Sequence, residues 1–186
     1  MKLKIDDKKD LIDLARKTIE RYLSDGTKYD PSPELKKRFS KEMGSFTTLK
    51  KRGQLRGCIG YIVPRYPLWE SVRNVSIEAA VNDPRFPSVK PDELDDITVE
   101  ISVLTVPKEV KDPKEIEMGV HGVIVKQGFR QGVFLPQVAD ETGWDRETFL
   151  DYLCMHKACL PRGAWKDTAT ELLSFRAIVF SEEGLK

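Results

Sequence analysis

The chain has 186 residues, enough for one domain with a buried core, or one domain carrying a small insertion. Hydrophobic residues at 40% and charged residues at 33% match a soluble globular protein and exclude a fibrous or disordered chain. A formal net charge of +1 gives no bulk attraction to nucleic acid or to an acidic membrane.

In chain order, Lys8 to Ser24 predicts a helix, because Leu11, Leu14, Ala15, Thr18, Ile19 and Tyr22 recur at three- and four-residue spacing. Asp25-Gly26 stops it, Tyr29 to Pro33 is a stiff connector, and Glu34 to Phe39 is a short helical turn. Ser45–Lys50 and Gln54–Ile62 read as a hairpin across Lys51-Arg52-Gly53, with Gly53 free to take a positive φ. Pro67 to Val81 is a helix with Leu68, Val72, Val75 and Ala79 on its stripe. Asn82 to Pro87 breaks it, and 91–94 is another short turn.

Ile97 to Val106 alternates as a strand, with Ile97, Val99, Ile101 and Val103 on one side and Thr98, Glu100, Ser102 and Leu104 on the other. Residues 113–118 read as irregular, and 122–127 with 132–135 as a second hairpin. Pro136 opens a short helix to Glu141. Asp145 caps a helix from Arg146 to about Ala158, and Leu172 to Phe180 is the last strand. Intermixed helices and strands with two hairpins predict an α+β fold, a mostly antiparallel sheet with packed helices.

Cys58, Cys154 and Cys159 are odd in number and fit no disulfide framework. No apolar run has the length of a signal peptide or a membrane span. The expectation is a cytoplasmic protein in a reducing compartment. Cys154 and His156 lie two apart on a helix and point apart, and no second ligand pair stands at zinc spacing, so neither a metal nor a cofactor is predicted.

The stretch with most chemistry is Leu55-Arg56-Gly57-Cys58-Ile59-Gly60. Strict alternation places Arg56, Cys58 and Gly60 on one face and Leu55, Gly57, Ile59 and Tyr61 on the core side. Arg56 can favour the thiolate, and Gly60 leaves room beside it. The opposing reading is a buried structural cysteine between strand glycines, since no histidine signature supplies a base. A phosphate cradle is excluded, because the strand continues extended to Pro64 rather than entering a helix.

The hexapeptide resembles the hallmark of the AMMECR (AMME chromosomal region candidate) domain family. Pro64-Arg65-Tyr66-Pro67-Leu68, Asp83-Pro84-Arg85-Phe86-Pro87, residues 99–105, residues 132–138, Trp144-Asp145 and Phe149-Leu150 resemble further family blocks in order. The resemblance implies one AMMECR-like α+β domain, a larger part from both chain ends with a smaller part inserted, and the hexapeptide near a cleft between them. It also implies company with Memo-like and radical-SAM proteins.

Candidate site residues follow. Cys58 is the candidate nucleophile and Glu100 its base or orienter. Arg56 and Arg85 suit a small anionic molecule, although Arg85 can equally pair with Asp83. Gly57 and Gly60 come with the motif, and His121 and Gln137 are candidate ligand contacts, each with a plain structural alternative. A protein-binding adaptor is the alternative function. RNA binding through Lys50-Lys51-Arg52 is disfavoured, since no aromatic ladder accompanies these cations.

Overall fold

A computed structural model describes residues 2–185. They form two compact units, the first comprising the chain up to Leu104 and from Ile178 onward, the second Thr105–Ala177.

The first unit begins with helix α1 (Ile5–Asp25), whose buried face is Leu11, Leu14, Ala15, Thr18 and Ile19, as the spacing predicts. The short α2 (Pro33–Arg38) is capped by Ser32, whose Oγ accepts the Leu35 N–H at 3.3 Å. Strands β1 (Gly44–Lys51) and β2 (Gln54–Tyr61) pair antiparallel, then come α3 (Leu68–Val81) and β3 (Ile97–Leu104). The strand order is β2-β1-β3, completed by the last residues of β7 (Glu171–Ser181). Leu49, Val99 and Ile101 face α1 and α3, and together with Leu11, Leu14, Val72 and Ala79 they form the core. Each of the valine, leucine and isoleucine side chains among them contributes about 1.5–3 kcal/mol on burial.

The β1–β2 turn is tighter than Gly53 alone requires. Arg52 (φ 51°) and Gly53 (φ 81°) are both left-handed, the signature of a two-residue hairpin turn. Arg52 is held there by its N–H to the Asp96 carbonyl at 3.2 Å and by an ion pair to the Asp96 carboxylate at 2.9 Å.

Buried hydroxyls join β1 to α3. Ser45 Oγ meets Ser71 Oγ at 2.8 Å, and Thr47 Oγ1 meets Ser76 Oγ at 3.0 Å. Ser76 donates its proton to the Val72 carbonyl at 2.7 Å, so Thr47 is the donor in the second pair.

The second unit holds the two-residue β4 (Lys108–Glu109), β5 (His121–Gln127), β6 (Arg130–Phe134), α4 (Gln137–Thr142), α5 (Arg146–Tyr152) and the first part of β7. β7 pairs with β4 and β5, and β5 with β6, all antiparallel. Residues 113–118 contain a 3-10 turn at Pro113–Glu115. Asp145 caps α5 as expected, accepting the Thr148 N–H at 2.8 Å.

The helix does not continue regularly to Ala158. It widens into a π-turn over Leu153–Lys157, where the Ala158 N–H reaches the Leu153 carbonyl at 3.2 Å. β6 runs tightly against this turn, since a Cβ on Gly132 would lie 2.7 Å from the Ala158 nitrogen. Cys154 is fully buried beside Leu150, and His156 is exposed.

Asp151 ties the end of α5 to the following loop, accepting from Arg162 Nε at 2.8 Å, the Gly163 N–H at 3.0 Å and Trp165 Nε1 at 2.8 Å. Burial pushes its pKa up, but these donors outweigh burial and hold the carboxyl below its usual range. Asp151→Asn places an amide donor against one of them and should cost about 1–2 kcal/mol, measured as a lower urea midpoint.

Candidate functional site

The site grows from an edge-strand problem. β2 is the outermost strand of its unit, so its outward backbone groups have no strand partner. At Cys58 the loop after α3 supplies one. The buried Asp83 carboxylate accepts the Cys58 N–H at 2.8 Å, and Arg85 Nη2 donates to the Cys58 carbonyl at 3.1 Å.

Asp83 and Arg85 lock each other in place. Arg85 Nε and Nη2 reach the carboxylate at 2.9 and 2.7 Å, and the Arg85 N–H at 3.1 Å. The Arg85 guanidinium, opposed by burial and aided by the Cys58 and Arg85 amides, holds the Asp83 carboxyl far below the usual range. This side-chain clamp stands where a neighbouring strand would pair.

Arg56 does not share the Cys58 face. The register runs Leu49↔Gly57 and then Lys50↔Leu55, so Arg56 is the extra residue of a β-bulge. The bulge breaks the alternation on which the expected face rested. Leu55 moves out of the core side to 44% exposure, while Arg56 turns away and pairs with Glu93 at 3.0 Å. It also donates to the Pro87 and Ser88 carbonyls at 2.7 and 3.2 Å. Arg56 and then Lys51, with the Lys90 amide adding to them against burial, lower the Glu93 pKa to about 2. Arg56 is a tie between β2 and the loop, and its donors are committed there.

Gly60 does not leave an empty space. A Cβ there would overlap the Phe46 ring and the Ser45 carbonyl, so the ring takes the place of a side chain. Gly57 serves packing in the same way, because a Cβ would overlap the Ala79 carbonyl of α3.

The face that does gather around the thiol is different. Thr48 lies opposite Cys58 on β2 and opposite Glu100 on β3, so Cys58, Thr48 and Glu100 form one row across three strands. Thr48 Oγ1 donates to Cys58 Sγ at 3.2 Å, and Lys50 Nζ pairs with Glu100 at 2.9 Å. Cys58 is half-buried. Thr48 escaped the sequence reading because its place opposite Cys58 depends on where the bulge falls. Asp83 was visible only as a partner for Arg85, since nothing in a sequence marks which backbone amide a carboxylate will accept.

His121 and Gln137 belong to the second unit. His121 starts β5, where its Nδ1 faces the Glu117 N–H at 3.0 Å and its Nε2 faces Arg176 Nε at 3.2 Å. Gln137 opens α4, and its Oε1 is buried without a partner among the described residues. Lys50, Lys51 and Arg52, the basic hairpin tip, pair with Glu100, Glu93 and Asp96, which leaves little free charge for a nucleic-acid backbone.

An α+β chain in two compact units, with a glycine-flanked cysteine on a clamped edge strand, is the class of protein these features define. The chain belongs to the AMMECR1 family, which it matches over residues 12–180. A protein from Thermococcus gammatolerans is 45% identical over 183 residues, covering 93% of this chain and 89% of that one. One from Methanothermobacter thermautotrophicus is 45% identical over 185 residues, covering 96% of each. The crystal structure of an uncharacterized protein from Pyrococcus horikoshii superposes with a TM-score of 0.85 at 42% identity, covering 94% of this chain and 91% of that one. No described helix is long and apolar enough to cross a membrane.

Proposed function

We propose that the protein binds a small molecule on the Cys58–Thr48–Glu100 face and that the Cys58 thiol is the group that reacts with it. The observation that supports this most is the Thr48 hydroxyl aimed at Cys58 Sγ across 3.2 Å. A hydroxyl donor at sulfur supports the anionic form of a thiol, which is the form that attacks an electrophile once its proton has passed to solvent. The Asp83–Arg85 clamp fixes the backbone beneath the thiol, so its position is set before a ligand arrives.

The remaining roles change with the geometry. Strands lie about 4.8 Å apart, which puts Glu100 roughly 10 Å from Cys58, so it orients a ligand together with Lys50 rather than taking the thiol proton. Gly57 and Gly60 shape the strand, and Arg56 and Arg85 support it. Free thiols at Cys58, Cys154 and Cys159 support a reducing, cytoplasmic setting.

Alkylation of the folded protein by iodoacetamide at neutral pH, followed by peptide mapping, tests the thiol's role. Cys58 should label faster than Cys159, although Cys159 is the more exposed, while buried Cys154 stays protected. Thr48→Val should slow Cys58 labelling about fivefold, the value of one ordinary hydrogen bond. A Cys58 that labels more slowly than Cys159 and ignores Thr48→Val would remove the reactive-thiol reading.

A further inference from the structure

The second unit carries a cavity of its own, about 370 Å³, with cationic and hydroxyl groups on its walls. It forms where the apolar face of the β5–β7 pairing runs out. Val123 and Leu172 belong to the core, but further along the paired strands His121 stands opposite Arg176 and Ser174 opposite Lys108. Thr105 completes the wall, with its N–H on the Arg176 carbonyl at 2.9 Å and its Oγ1 accepting the Arg176 N–H at 2.9 Å. Val106 supplies the apolar part of the lining, while the buried Phe175 ring packs over Gly122 on the other face of the pairing.

The hydrogen bonds at His121 are out of balance. The Glu117 amide donates to Nδ1 at 3.0 Å, and the Arg176 guanidinium donates to Nε2 at 3.2 Å. A neutral imidazole has one acceptor nitrogen and one N–H. With both ring nitrogens facing donors, one donor is surplus: the Glu117 amide if Nδ1 carries the proton, or the Arg176 guanidinium, whose side chain lines the cavity, if Nε2 carries it. The acid nearest Arg176 is the exposed Glu117, at 4.0 Å, the limit of an ion pair. An acceptor-rich anion between Arg176, His121 and Lys108 would take the surplus donor and balance the cations.

We propose that this cavity binds the phosphate group of a small phosphorylated molecule. A tetrahedral dianion suits donors converging from β4, β5 and β7, and the planar guanidinium of Arg176 can grip two of its oxygens. The volume lies at the small end of ordinary ligand pockets, with room for a phosphate and a compact body beside Val106. This inference is independent of the chemistry at Cys58, which belongs to the other unit.

The chain's two histidines make the test self-controlled. In the full-length protein labelled with nitrogen-15, inorganic phosphate is titrated against sodium chloride at constant ionic strength while the imidazole resonances are followed. Those of His121 should shift and saturate at low millimolar phosphate, while those of exposed His156 should not saturate. Arg176→Gln and Lys108→Gln, both at exposed positions, should each weaken binding about tenfold. Linear, parallel movement of both histidines, or unchanged titration of both variants, would overturn the site. Equal saturation by acetate would overturn the phosphate assignment.

Discussion

Asp83→Ala should lower the unfolding free energy by about 2–4 kcal/mol, roughly 5–15 °C in melting temperature for a chain of this size. The cost has two sources. The Cys58 amide loses its acceptor on an edge where no other strand group can replace it. The Arg85 guanidinium loses its partner, but its side chain is 53% exposed and water recovers most of that loss. Arg85→Ala instead leaves a carboxylate with 2% exposure lacking its counter-charge, the costlier half of a broken pair. The double variant should therefore cost less than the sum of the single ones by more than about 1 kcal/mol. Additive effects in urea unfolding, or an Asp83→Ala cost below about 1 kcal/mol, would show that the clamp carries little load.

The same variant has a pH signature. The folded-state pKa of Asp83 is depressed, so its stabilisation is fully present above the ordinary carboxylate range and lost as pH falls through the folded value. The gap between wild type and Asp83→Ala should stay constant from pH 7 to about 5 and narrow below about 4. Glu93, lowered to about 2 by Arg56 and Lys51, carries the same sign, so acid loosens both ties of the hairpin in one window.

Much of the first unit can be read from sequence because its signals are periodic. The stripe of α1, the alternation of β3 and the hairpin around Gly53 each depend on near neighbours, and each forms where its pattern predicts. The departures arise where one residue breaks a period. At Arg56 a single bulge residue moves Leu55 outward and separates the arginine from the cysteine. The π-turn after α5 and the two-residue β4 are likewise too short to leave a periodic trace. Side-chain-to-backbone ties such as Asp83 to Cys58 join residues 25 positions apart and have no local signal at all.

The structural reading of the hexapeptide therefore has a direct mechanical consequence at Gly57. Gly57→Ala should cost about 3 kcal/mol or more, since the new methyl would overlap the Ala79 carbonyl, a backbone atom that no rotamer change can move. Gly53→Ala is the contrast. Its φ of 81° is strained for alanine, but open space surrounds it, so the cost should stay near 1–2 kcal/mol.

Gly60→Ala is a second close-packed case, pressed by the Phe46 ring and the Ser45 carbonyl. Relief at Gly57 requires α3 to slide off β2. Asp83 follows α3 by only two residues, so the slide draws its carboxylate away from the Cys58 amide. Hydrogen exchange at the Cys58 N–H should therefore accelerate more in Gly57→Ala than in Gly53→Ala, beyond what their difference in global stability explains. Equal acceleration after correction for stability would mean that helix and clamp are not coupled, and that Gly57 serves packing alone.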